Sequence, residues 1–140
     1  MKNAEKKETI YQLTCTEGQL RLINDAIEGY FRLLLGQYFD YADEIAFAGF
    51  DVKDHSEQDF DERILRRNLA MELFDAIYKR LFPAARETTP TENALIDIWG
   101  TIRHHLWLDR EEPKPHGTVD SCPPLLRSEQ PPVEVRRMKE

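Results

Sequence analysis

Six of the eight prolines of this 140-residue chain fall at or after Pro113, and that limits what it can fold into. Proline has no amide hydrogen to donate and its ring collides with the preceding turn, so residues 113–140 cannot form a helix. Helical structure has to lie before them. Thr118-Val119, Leu125-Leu126 and Val133-Glu134-Val135 nevertheless punctuate this tail with apolar pieces. Such a pattern suits an extended segment laid over a core.

Upstream, the apolar spacing predicts three helices. Thr16-Glu17-Gly18-Gln19 reads as a capping box. Leu20, Ile23, Ile27, Tyr30, Leu34, Tyr41 and Ile45 then recur at threes, fours or their multiples. This seam predicts one helix running unbroken to about Phe47, some 45 Å long at about 1.5 Å per residue. Ala48 to Gln58, with Gly49, Asp51, Asp54 and His55, loses the period and reads as a polar loop. A second helix fits Asp59 or Asp61 through Phe82, with Ile64, Leu65, Leu69, Leu73, Ile77, Tyr78 and Leu81 as its inner face. Pro83 stops it. Thr91 suits the cap of a third helix that carries Leu95, Ile98, Trp99, Ile102 and Leu106 inward and ends near Arg110.

Thr9 to Thr14 alternates and is rich in strand-forming residues, so it could pair with 133–137 and close the chain. The expected architecture is a mainly α single domain, 1–140. It is a three-helix bundle with a long first helix, an extended N-terminal strand, a tail wrapping the bundle and a frayed start over residues 1–8.

Composition narrows the function. With 41% hydrophobic and 32% charged residues the chain matches a soluble globular protein. No run approaches the roughly 20 apolar residues of a membrane span, and Met1 to Lys7 lacks the apolar core of a secretion signal, so a cytoplasmic location is expected. A net charge of −7 opposes tracking along duplex DNA but leaves room for one small basic pocket. Cys15 and Cys122 are far apart, without metal-like spacing, and read as reduced thiols. There is no phosphate-cradling glycine loop, nucleophile elbow or Cys–His pairing, so neither catalysis nor a cofactor is expected. His104 and His105 diverge by about 100° on a helix and cannot form a zinc pair. Asp97 and His104 would stand about 10 Å apart, too far for a dyad.

Six residues are candidates for binding. Trp99 to Trp107 gathers Arg103, His104, His105 and both tryptophans into three turns. These supply a fork of donors, a titratable ring and faces for stacking. Arg103 shares a stripe with Trp99 and needs a partner, either an acid of another helix or a ligand phosphate. Gln37 falls on the inner seam, where it is either bonded within the fold or reads a polar ligand edge. Arg32 lies between Gly29 and Gly36 on one face, as an anion clamp or as the partner of Glu28. Tyr38 and Trp107 could stack on a base. The set Arg32, Gln37, Tyr38, Arg103, His104 and Trp107 therefore describes a site for a small anionic, nucleotide-like ligand. The Gly29–Gly36 face of a projecting helix also predicts self-association into a homo-oligomer.

Leu13 to Gln19, Ala26-Ile27, Arg32 with Gly36-Gln37-Tyr38, Ile98-Trp99 with Ile102-Arg103-His104, and Thr118-Val119-Asp120 before Pro123-Pro124 carry a resemblance. The chain resembles small helical accessory proteins of phages and integrated elements of anaerobic bacteria, departing from them between Phe50 and Asp61. The resemblance implies counter-defence in the host cytoplasm, by sequestering a nucleotide signal or by inhibiting a host protein.

Overall fold

The computed structural model describes residues 8–48 and 57–139. The frayed start and most of the polar loop, His55 included, lie outside those residues. Four helices follow in order: α1 (Glu17–Leu34), α2 (Phe39–Phe47), α3 (Glu57–Leu81) and α4 (Pro90–Leu108). A single 3-10 turn, Val119–Ser121, lies in the proline-rich tail.

The first correction concerns the long first helix, which is two. The Gln37 amide donates to the Arg32 carbonyl at 2.8 Å and the Gly36 amide to Leu33 at 3.1 Å. That is a Schellman closure, with Gly36 in the left-handed region at φ 75°. Apolar residues on both sides of the break stay nearly in phase, which is why the spacing reads as continuous. Gly36 is also required by space. A Cβ there would lie 2.9 Å from the Tyr78 ring.

The helices pair like nested hairpins. α1 packs on α4 and α2 on α3, with only a small contact between α1 and α2. In the outer pair Phe31 meets Trp99 edge-on at 5.2 Å, and Trp99 Nε1 donates to Glu28 at 3.2 Å. In the inner pair Phe74 receives Tyr38 and Tyr41 at 5.4 and 5.5 Å. Fully buried Ala42 and Ala46 let the α2 backbone approach closely.

One part-buried cluster ties the connection between α3 and α4 to both helices of the outer pair. Arg86, between α3 and α4, donates to both carboxylate oxygens of Glu92 at 3.0 and 2.5 Å and to the Leu34 carbonyl at 2.6 Å. Glu92 is 2% exposed. It also accepts from the Thr89 amide, completing a capping box with Thr89 as N-cap and Pro90 in the first turn. The cap is therefore Thr89 and not Thr91. Arg86 holds the Glu92 carboxyl below its ordinary range against the opposing effect of burial.

Two further expectations are corrected. No strand occurs among the described residues: both 8–15 and 133–137 are irregular. Pro131 and Pro132 remove the amides that would begin a ladder. The inner face assigned to α3 is also divided. Ile64, Met71, Phe74 and Tyr78 are partly buried, whereas Leu65, Leu69, Leu73, Ile77 and Leu81 are 48–65% exposed.

The two glycines that share a face in a continuous helix should respond oppositely to alanine. Gly29 has open space where a Cβ would go, so Gly29→Ala should raise stability by about 0.5–1 kcal/mol. Gly36→Ala should lower it by about 1–3 kcal/mol, through its left-handed φ and the Tyr78 ring. Urea titration of both variants measures the difference.

Candidate functional site

The six candidate binding residues separate into two places. Arg103, His104 and Trp107 do not form a pocket but fasten the tail, which runs back along α4 as a strap. Trp107 Nε1 donates to the Pro115 carbonyl at 2.6 Å. One turn back, His104 Nδ1 lies 2.9 Å from the Asp120 carbonyl, and Arg103 Nε pairs with the Asp120 carboxylate at 2.8 Å. The Arg103 guanidinium lies over Trp99, its central carbon 3.8 Å from the ring centroid. Another turn back, the Cα of Gly100 meets Pro124 so closely that a Cβ would come within 3.0 Å. The last fastening is Asp97, whose two oxygens accept from the Arg127 and Ser128 amides at 2.8 and 2.7 Å.

Trp107, Arg103 with His104, Gly100 and Asp97 thus meet residues 115, 120, 124 and 127–128 in reverse order. The partner that Arg103 requires is an acid of the tail, not of another helix. His104 stacks on Trp107 at 6.0 Å, Lys114 Nζ sits 4.3 Å over the same indole, and His116 meets its edge. The aromatic face proposed for a base is occupied by the protein itself. Sequence reasoning passed over Asp97 as a structural anchor, although an acid one turn before Thr101 on a helix otherwise turned inward was a usable signal.

Burial pushes the Asp97 carboxyl up. The Ser128 hydroxyl and the two amides outweigh that and hold it below the ordinary value.

Arg32, Gln37 and Tyr38 do come together. They line a cleft of about 620 Å³ where the α1–α2 turn faces α3, with Gly36, Phe39, Met71, Glu72 and Asp75. Gln37 is exposed beyond the end of α1, a correction to its inner-seam placement. Its amide oxygen accepts from Arg32 Nη1 at 2.7 Å, while Arg32 Nε pairs with Glu28 at 2.8 Å. Arg32 thereby caps the break between the two helices and presents a polar rim. Tyr38 is 7% exposed, and its hydroxyl meets no donor or acceptor among the described residues. Burial, reinforced by Asp75 and Tyr78, pushes its phenol up, so it stays protonated and able to donate.

The cleft is amphoteric. Arg32 contributes one positive charge, and Glu72 and Asp75 contribute two negative ones. No group of three or more His, Cys, Asp or Glu among the described residues could hold a metal ion. No helix among them is long and apolar enough to cross a membrane. Comparison with protein-family models, curated proteins and solved structures finds no match to this chain.

Asp97→Ala should cost about 2–4 kcal/mol, because two charge-assisted bonds go together and leave two amides unpaired. Hydrogen exchange at Arg127 and Ser128 should accelerate toward free-chain rates while that of α1 changes less. Acid should act in the same direction. The folded values of Asp97 and Glu92 lie below their ordinary 3.8 and 4.5, so their stabilisation is complete above that range. It is lost as the pH falls through the lower folded values. A thermal melt followed from pH 6 to 2 should therefore show this decline, and Asp97→Ala should flatten it.

Proposed function

We propose that the chain captures a small nucleotide-like molecule carrying a single negative charge, in the cleft between the α1–α2 turn and α3. The observation that carries this reading is Tyr38, which lines the cleft and whose buried hydroxyl has no partner among the described residues. A buried hydroxyl left unpaired is costly, and a ligand acceptor would relieve it. The volume falls within the range of small-molecule sites. Phe39 and Met71 offer apolar contact for a planar ring, and Glu72 and Asp75 accept from ring or exocyclic N–H groups. Arg32 with Gln37 suits one anionic or carbonyl end. Two carboxylates beside one guanidinium disfavour polyphosphates, which narrows the ligand relative to a purely basic pocket.

Together with the resemblance to phage-borne helical proteins, this supports sequestration of a nucleotide-like signal as the biological role. A second reading, inhibition of a host protein by direct contact, is favoured by the exposed apolar side of α3 rather than by the cleft.

A thermal-shift screen of cyclic mononucleotides, mononucleotides and ATP tests the proposal, since a ligand that binds only the folded chain raises its melting temperature. Singly charged nucleotides should stabilise the wild type and ATP should not. Tyr38→Phe should weaken binding about threefold to tenfold, one neutral hydrogen bond, and Arg32→Ala tenfold or more. Arg103→Ala should melt earlier yet keep the full ligand shift, because it holds the strap and not the ligand. No shift with any nucleotide, or shifts unchanged in both cleft variants, overturns the reading.

A further inference from the structure

We infer that the molecule taken by the cleft carries guanine as its base, and that Glu72 is the residue that selects it. This rests on the capture reading above and narrows it to one class of ligand.

The charged groups of the lining differ in what they have left to offer. Arg32 is engaged through Nε with Glu28 and through Nη1 with Gln37. Asp75 Oδ2 pairs with Lys79 Nζ one turn along α3, at 2.7 Å. Glu72 makes no hydrogen bond or ion pair with any other of the described residues. It is the cleft's uncommitted acceptor. An ionised carboxylate accepts hydrogen bonds and cannot donate them, and its two oxygens suit two parallel N–H groups. The ring edge that meets Glu72 therefore has to present donors and turn no lone pair toward it.

Among the nucleobases guanine alone has such an edge, with N1–H and the 2-amino group side by side. Adenine sets the acceptor N1 beside its amino group, and cytosine sets N3 beside its own. Uracil and thymine carry one N–H between two carbonyls. In each of these a carboxylate gains at most one donor and faces a lone pair.

The other wall of the cleft agrees. O6 and N7 of guanine are adjacent acceptors, for which a guanidinium is the commonest partner. Adenine puts an amino group in place of O6, which repels a cation. The lining is sorted in the same way, with Arg32 near the end of α1 and the acids Glu72 and Asp75 on α3. A donor wall meets the acceptor edge, and an acceptor wall meets the donor edge. Tyr38, Phe39 and Met71 supply ring and thioether surface on which a purine can rest.

Calorimetric titration of the full chain with cyclic GMP, cyclic IMP and cyclic AMP tests this. The three share one sugar phosphate and one negative charge, so only the base differs. The wild type should bind cyclic GMP at least tenfold more tightly than cyclic AMP, because a site built for two donors rejects a ring that lacks one. Cyclic IMP keeps N1–H without the 2-amino group and should fall between them. Glu72→Gln offers one donor and one acceptor, the pair that adenine needs, and should turn the preference toward cyclic AMP. Glu72→Ala should bring the two within about threefold of each other. Glu72 is exposed on α3, so both variants should melt as the wild type does in the absence of ligand. Equal or tighter binding of cyclic AMP by the wild type, or a guanine preference that survives both substitutions, overturns the inference and leaves nucleotide capture standing. A wild type that binds none of the three overturns both.

Discussion

Much of this fold depends on where the Leu34 carbonyl goes. In an unbroken helix it would accept from the amide four residues on. Here it accepts from Arg86, whose planar fork also holds both oxygens of buried Glu92. Glu92 in turn accepts the Thr89 amide at the start of α4. Three unmet needs are thus closed in one cluster: a spare carbonyl at the end of α1, a spare amide at the start of α4 and a carboxylate out of water. The Schellman turn at Gly36 and the Arg86 contact are two sides of one requirement. Removing the break would withdraw the carbonyl, and removing the arginine would leave the carboxylate without its counter-charge.

The same logic explains why the Arg103 region is a fastening and not a pocket. An inward-facing guanidinium seeks an anion, and the chain carries one, Asp120, at a fixed distance along its own tail. An intramolecular acid is always present at high effective concentration, whereas a ligand phosphate must compete for the guanidinium. Arg32 is held too, by Glu28 and Gln37, but those contacts lie at the mouth of a cleft. The difference between the two arginines is therefore one of surroundings. One faces a strap and an indole, the other a space with a buried phenol and two acids.

Local patterns were legible in the sequence. The Thr16–Gln19 capping box, the end of α3 before Pro83 and a tail without an α-helix are present as read, whereas of the five α4 residues expected inward only Ile102 is buried and the other four are partly so. What could not be read depended on distant partners. Nothing within α1 announces that Leu34 will be claimed from residue 86, and a Gly in an otherwise periodic run is compatible with continuation. The Thr89-Pro90-Thr91-Glu92 order did carry a signal, since proline favours the first helical position and an acid suits the third. On α3 the spacing shows apolar positions without saying which side meets α2. Of the candidate site, residue types and inward placement were legible for Arg103 and His104, but their partners lie 16 or more residues away in the tail. Gln37 was misplaced for the same reason that α1 was drawn too long.

The nesting of the helix pairs fixes the order in which contacts become possible as the chain is made. The inner hairpin, α2 on α3, joins neighbours in sequence and is available once residue 81 has emerged. α1 is made first yet has to wait for α4, because Phe31 and Glu28 find their partner only at Trp99. Closing that outer pair means closing a loop of more than sixty residues, an entropic cost greatly reduced if the inner hairpin has already drawn the ends together. The strap comes last, since Asp97 receives its amides only from residues 127 and 128. Until then α4 is bare on the side the strap will cover, and the earliest of the four helices is clasped only once the last of them has been made.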